Sequence, residues 1–211
     1  MGGDRRLMTP LQAPSVETLT PDHLPPIPGE SMEEYARRTA DLYRIGPADV
    51  IGGASFGGMV AAEIADKRKV SGLVLLGSCL RPSRLPFHYR WVEKLGPFVP
   101  DVALALRSFR PLVRGRFHPL TRDAEDCLIA MARDCPPEQI REFGRMIIAW
   151  PGVERPSCPI LSINGDRDRV IPTRCSEPGL LLPSAGHAFT LTHSAQVSAA
   201  IQNFIVALPV P

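Results

Sequence analysis

The sequence predicts an α/β protein: a mostly parallel β-sheet flanked by helices, with a helical insertion in its middle. Three observations lead there. A short apolar run at residues 49–52 ends in glycine and passes within a few residues into small, helix-compatible residues that continue to about Lys67. Residues 70–77, Val-Ser-Gly-Leu-Val-Leu-Leu-Gly, form a continuous apolar run of strand length, the kind that a parallel sheet buries on both faces. After a long stretch punctuated by prolines and glycines, a strand returns at residues 159–165 and the chain closes on an amphipathic helix, so strands and helices alternate.

In chain order, residues 4–12 suit a short helix with Leu7 and Leu11 on one side. Residues 16–20, Val-Glu-Thr-Leu-Thr, suit a strand closed by Pro21, and residues 21–29 are proline-rich and extended, a surface loop. Ser31-Met32-Glu33-Glu34 is a capping box that starts a helix reaching about Tyr43, with Met32, Tyr35, Ala36 and Thr39 as its inner stripe. Between residues 80 and 152 the alternation breaks. Helices are expected near 89–94, 100–113, 121–135 and 137–149, in a segment that gathers Phe87, Tyr89, Trp91, Phe98, Phe109, Phe117, Phe143 and Trp150. Beyond it lie the strand at 159–165, a last short strand at 179–182, and a helix at 194–208 whose Val197, Ile201, Phe204, Ile205 and Leu208 share one face.

Composition sets the bounds. With 211 residues, 44% of them hydrophobic, the chain can build one globular core and carry a subdomain. A formal net charge of +2 and the lack of any long single-sign run give no drive toward nucleic acid. Cys79, Cys127, Cys135, Cys158 and Cys175 are scattered and in no Cys-x-x-Cys spacing, which points to reduced thiols in a cytoplasmic protein. The polar, basic start at residues 1–6 has no apolar run behind it, unlike a secretory signal, and no stretch approaches the ~20 apolar residues of a membrane span.

The chemistry sits at Gly53-Ala54-Ser55-Phe56-Gly57. Between a strand and a helix, Gly-x-Ser-x-Gly makes a turn so tight that side chains at the glycines would strike the neighbouring backbone, while the serine is lifted clear of the sheet at the positive end of the helix. Serine alone is a poor nucleophile at neutral pH. It needs a histidine base within reach, held in one tautomer by a carboxylate. The later loops Gly165-Asp166-Arg167-Asp168 and Ser184-Ala185-Gly186-His187 supply both residue types, in the order Ser, Asp, His. His23 falls in the proline-rich loop, His88 and His118 in the insertion, and His193 at the start of the last helix.

On these motifs the chain resembles the α/β-hydrolase superfamily, in particular its serine esterases and lipases with a helical cap. The resemblance covers nearly the whole chain. It implies a core of residues 1–79 and 153–211 and a cap subdomain at residues 80–152, inserted after the strand that follows the nucleophile. It implies a catalytic triad of Ser55, Asp168 and His187, with Asp166 as the reserve acid, and no cofactor or metal. One oxyanion donor is the N–H of Phe56. The other, in the family, comes from a loop opening with His-Gly or Pro-Gly, and here the remainder of such a loop is Met1-Gly2-Gly3, so the second donor falls to the N–H of Met1 or Gly2.

The sequence departs from the family in lacking its first strands, an N-terminally minimal version of the fold. It is either a natural short form or a fragment; as a fragment it would leave the nucleophile's strand with an open apolar edge, which favours pairing with another chain, such as a homodimer.

The function expected first is a carboxylesterase acting on small-molecule esters with an apolar acyl group, since a cap built of aromatic-rich helices presents an apolar face to the cleft. A second expectation keeps the triad but takes a thioester or an acyl-carrier methyl ester, with Arg107, Arg110, Arg114 and Arg116 either docking an acidic carrier or forming a solvated face. A third is a weakly active or inactive hydrolase-like binding protein, supported by the truncated start alone.

Overall fold

The computed structural model describes residues 2–82, 106–176 and 178–209. The helix expected at 89–94, residues 100–105 of the one expected at 100–113, and Phe87, His88, Tyr89, Trp91, Phe98 and Met1 lie outside the described residues. The described part of the second helix is corrected: it breaks at the extended Phe109 into a 3₁₀ turn before it and a helix that runs on past Val113 to Phe117.

Among the described residues four strands form one sheet, β1 (Val50–Ala54), β2 (Gly72–Leu76), β3 (Ile160–Gly165) and β4 (Leu180–Leu182), in the order β1-β2-β3-β4. All three pairings are parallel, with Gly53 opposite Leu75, Leu75 opposite Ser162, and Ile163 opposite Leu180. The apolar run of β2 is buried throughout, and its residues alternate between two cores as the two-residue period of a strand requires. Leu73 and Leu75 face one core and Val74 and Leu76 the other. Each such side chain contributes roughly 1.5–3 kcal/mol by leaving water.

The first core is covered by α1 (Met32–Leu42) and α2 (Phe56–Lys67), with α5 (Pro137–Ala149) against them. The capping box forms: the Glu34 N–H donates to Ser31 Oγ at 3.2 Å, and Glu34 Oε2 accepts the Ser31 N–H at 2.8 Å. Its inner stripe is Met32, Tyr35, Ala36 and Ala40; Thr39 stays half-buried and turns its hydroxyl to the Tyr35 carbonyl at 2.8 Å. The elbow helix α2 is apolar nearly all round because α1, the sheet and α5 enclose it. Its one buried carboxylate, Glu63, accepts the Trp150 indole N–H at 2.6 Å and ties α2 to the end of α5.

The second core lies under the last helix, α8 (Ser194–Ala207), which follows the short helices α6 (Thr173–Ser176) and α7 (Phe189–Thr192) and whose Val197 is buried completely. Phe204 and Leu208 close over Gly72, where a Cβ would come within 3.0 and 3.1 Å of them.

Between β2 and β3 the described residues form a 3₁₀ turn, Leu106–Ser108, then α3 (Arg110–Phe117), α4 (Arg122–Asp134) and α5. The two ends of this segment are joined, the Val153 N–H donating to the Leu80 carbonyl at 2.9 Å. α3 is held to α4 by Glu125, 2% exposed, whose carboxylate accepts from Arg110 at 2.9 Å and Arg114 at 2.9 Å. Burial alone would raise the Glu125 pKa, but the two guanidiniums hold it below the ordinary value.

Two further expectations are corrected. Residues 16–20 form no strand: Val16 and Leu19 are exposed, and the preceding residues run along α8, with the Gln12 N–H on Ser198 Oγ at 2.9 Å and Ser15 Oγ on Gln202 Oε1 at 3.1 Å. A strand exists only with a ladder partner, and no described strand lies beside this segment. The helix expected over 4–12 shrinks to one 3₁₀ turn, Arg5–Leu7, capped by Asp4. Leu7 and Leu11 do not share a side: Leu7 packs with α3 and α4, Leu11 with the second core.

Candidate active site

Ser55, Asp168 and His187 follow the C-terminal ends of β1, β3 and β4, the edge at which open parallel sheets form their crevices. Ser55 has φ 52° and ψ −115°, a conformation that L residues rarely adopt. The neighbouring glycines make it affordable. A Cβ at Gly53 would lie 2.5 Å from the Gly57 carbonyl carbon, one at Gly52 would lie 2.6 Å from the Val74 carbonyl oxygen, and one at Gly58 would lie 2.6 Å from Ser78. Backbone bonds fix the turn: the Ser55 N–H donates to the Leu76 carbonyl at 2.9 Å, and Ser78 Oγ donates to the Ser55 carbonyl at 2.7 Å. Gly53→Ala is therefore expected to destabilise the protein by about 1–3 kcal/mol. Calorimetry reads this as a fall in Tm of about 2–4 °C per kcal/mol; an unchanged Tm would contradict so close an approach.

The acid loop is built around Asn164, buried at the end of β3. Its amide donates to the Ile171 carbonyl at 2.9 Å and to Ser176 Oγ at 2.7 Å, and its own oxygen accepts the Gly165 N–H at 3.0 Å. Inside that loop Asp168 is buried, with Oδ1 accepting the N–H groups of Val170 and Ile171, both at 2.8 Å. Its Oδ2 meets His187 Nδ1 at 2.7 Å. Asp166 is exposed and turns instead to the Ala185 N–H at 3.2 Å, which anchors the histidine loop. Of the two candidate acids only Asp168 reaches the histidine.

His187 rests on Gly77, where a Cβ would lie 3.2 Å from Nδ1. Gly77 directly follows Leu76, the residue that binds the Ser55 N–H, so the Ser55 backbone and the His187 ring both lie at the C-terminal end of β2. Among the described residues the Ser55 hydroxyl has no hydrogen-bond partner. With Nδ1 committed to Asp168, Nε2 is the ring nitrogen left for a reacting group. The insertion buttresses the histidine from the other side. A Cβ at Gly186 would lie 2.5 Å from the Phe117 carbonyl oxygen, the Phe117 ring stands 5.9 Å from the His187 ring, and Arg169 donates to the Gly115 carbonyl at 3.0 Å.

Phe56 opens α2, so its N–H is among those a helix start leaves unpaired. Gly2, at φ 99°, lies against the end of α4, a Cβ there falling 3.7 Å from Cys135 Cβ. Arg110 and Arg114 are engaged with Glu125, and Arg107 donates to the Cys135 carbonyl, so these three guanidiniums serve the insertion's own packing.

Sequence reasoning missed His23. It lies in contact with the start of α2, its ring edge-on to Phe56 and Phe143 at 5.3 and 5.5 Å. Burial pushes its pKa down to about 4. No local signal in the proline-rich loop marked it, because its neighbours are distant in sequence.

Among the described residues no helix is long and apolar enough to cross a membrane, and no cluster of three or more His, Cys, Asp or Glu is placed to hold a metal ion. Residues 4–200 match the sequence profile of the alpha/beta hydrolase family. No curated protein matches the chain. Among solved structures it is similar to a thermophilic esterase from Thermogutta terrifontis with malate bound (TM-score 0.77, 21% identity, covering 96% of this chain and 85% of that one). It is similar also to a hydrolase from Oleispira antarctica (TM-score 0.76, 13% identity, 98% and 88% covered) and to a bromoperoxidase from Bacillus anthracis (TM-score 0.64, 15% identity, 88% and 80% covered). At these identities the likeness is one of fold.

Proposed function

The chain belongs to the alpha/beta hydrolase family, and from that premise we propose that it is a serine hydrolase cleaving small carboxylic esters with an apolar acyl group. The observation that carries the reading is the 2.7 Å contact between His187 Nδ1 and the buried Asp168, at the same edge of the sheet as the strained Ser55. Ser55 Oγ attacks the ester carbonyl as His187 Nε2 takes its proton. Asp168 holds the ring in the tautomer that leaves Nε2 unprotonated, and stabilises the imidazolium that forms. The Phe56 N–H, at the positive end of α2, donates to the oxyanion. Collapse of the tetrahedral intermediate expels the alcohol, protonated by His187, and leaves an acyl-Ser55. Water activated by the same histidine then releases the acid.

Residues 80–152 form the cap in this reading, with residues 1–79 and 153–211 as the core. The joined ends of the segment at Leu80 and Val153 support the division, and Phe117 beside His187 gives the site an apolar wall. Arg107, Arg110 and Arg114, three of the four arginines considered for an acidic carrier, are engaged within the insertion, which favours free esters over carrier-bound ones. Five cysteines in no Cys-x-x-Cys spacing suit a reducing compartment, so a cytoplasmic location belongs to the proposal.

A panel of nitrophenyl esters of increasing acyl length, run beside acyl thioesters of the same acids, tests the substrate class. The reading expects the esters to be turned over faster than the thioesters. A thioester preference of about tenfold or more, equivalent to 1.4 kcal/mol in the barrier, would transfer the assignment to a thioesterase.

A further inference from the structure

We propose that His23 supplies a second hydrogen-bond donor to the oxyanion, as the side-chain partner of the Phe56 N–H; the inference rests on the serine hydrolase reading above. An acyl-transfer site gains by aiming more than one donor at the developing charge, and histidine side chains can fill that role. Of the two residues expected from sequence to supply the second donor, Met1 lies outside the described residues and Gly2 lies against Ala132 and Cys135 at the end of α4.

His23 lies against the turn that carries the Phe56 N–H. Its Cε1 lies 3.4 Å and its Nε2 3.9 Å from the position of a Cβ on Gly57, so the Cε1–Nε2 edge lies over the first turn of α2, two residues beyond Ser55. Phe56 and Phe143 stack on each other with centroids 4.4 Å apart, and the His23 ring stands edge-on to both, at interplanar angles of 62° and 65°. Both flanking residues are anchored. Asp22 accepts the Arg5 N–H at 3.0 Å, and the Leu24 carbonyl accepts the Tyr35 hydroxyl at 3.0 Å. Neither ring nitrogen of His23 has a hydrogen-bond partner among the described residues.

Burial, which brings the pKa to about 4, keeps the ring neutral at physiological pH. A neutral imidazole retains one N–H to donate and places no second cation beside the imidazolium that His187 becomes. With the proton on Nε2, His23 donates to the oxyanion when Ser55 adds to the carbonyl, and no bond to His23 forms or breaks.

Three full-length variants test this: His23→Leu, His23→Met, which keeps volume without a donor, and His23→Gln, which keeps a donor. For the best ester of the panel, kcat should fall about 10²-fold in His23→Leu and His23→Met with KM nearly unchanged, and His23→Gln should recover at least about tenfold of that loss. Thermal unfolding identifies which variants fold. Should either apolar variant misfold, the other carries the comparison. Folded apolar variants with kcat within about threefold of wild type, or a His23→Gln no better than they are, would overturn the proposal. Labelling by a fluorophosphonate separates this failure from failure of the underlying reading: the first leaves wild type labelled at Ser55, whereas the second leaves it unlabelled and removes the proposal with it.

Discussion

Replacing Ser55 by alanine is expected to lower kcat by about 10⁶-fold while leaving the fold intact. The nucleophile is the only group in the site that bonds to carbon, so the remaining elements cannot substitute for it. What survives is the binding and oxyanion contribution, worth about 10³–10⁴ over water in sites of this kind. Stability should hardly change. The Ser55 hydroxyl has no hydrogen-bond partner among the described residues, and alanine meets the same steric cost as serine at φ 52°. The backbone bonds to Leu76 and Ser78 persist in either case. Steady-state kinetics on purified protein, with thermal unfolding as the control, checks both halves.

Asp168→Asn is the second large effect, a loss of about 10⁴-fold in kcat. The asparagine oxygen can still accept the N–H groups of Val170 and Ile171, as Oδ1 does at 2.8 Å, so the loop keeps its shape. That leaves the amide NH₂ where Oδ2 stood, 2.7 Å from His187 Nδ1. Donor then faces donor unless the ring shifts its proton to Nε2, and a ring protonated there cannot take the proton from Ser55. Asp166→Asn should stay within about tenfold of wild type, because its oxygen can still accept the Ala185 N–H. Measuring kcat for the two variants side by side decides the acid; the reverse ranking would move the role to Asp166.

The parts of the site legible in the sequence are those whose cause is local. The elbow announces itself because the steric demand of Ser55 falls on glycines within three residues of it, and Asp168 and His187 lie in short loops at strand ends with glycines packed against one another. A Cβ at Gly165 would come 2.2 Å from the Ala185 carbonyl oxygen, a contact that joins the two loops and leaves its mark at both positions. The capping box of α1 and the all-apolar β2 were equally readable.

What was not legible depends on partners far along the chain. Residues 16–20 have the composition of a strand, but composition does not supply a neighbouring ladder. Arg110 and Arg114 resemble an exposed basic face until α4 brings Glu125 between them. His23 acquires its setting from Phe56 and Phe143, on two helices that the sequence separates widely.

The triad itself is tested most directly by where a fluorophosphonate attaches. Peptide mapping by mass spectrometry should find one adduct per chain, on Ser55, formed orders of magnitude more slowly in His187→Ala. A well-folded wild-type protein that stays unlabelled, or carries its adduct on another residue, would contradict the account.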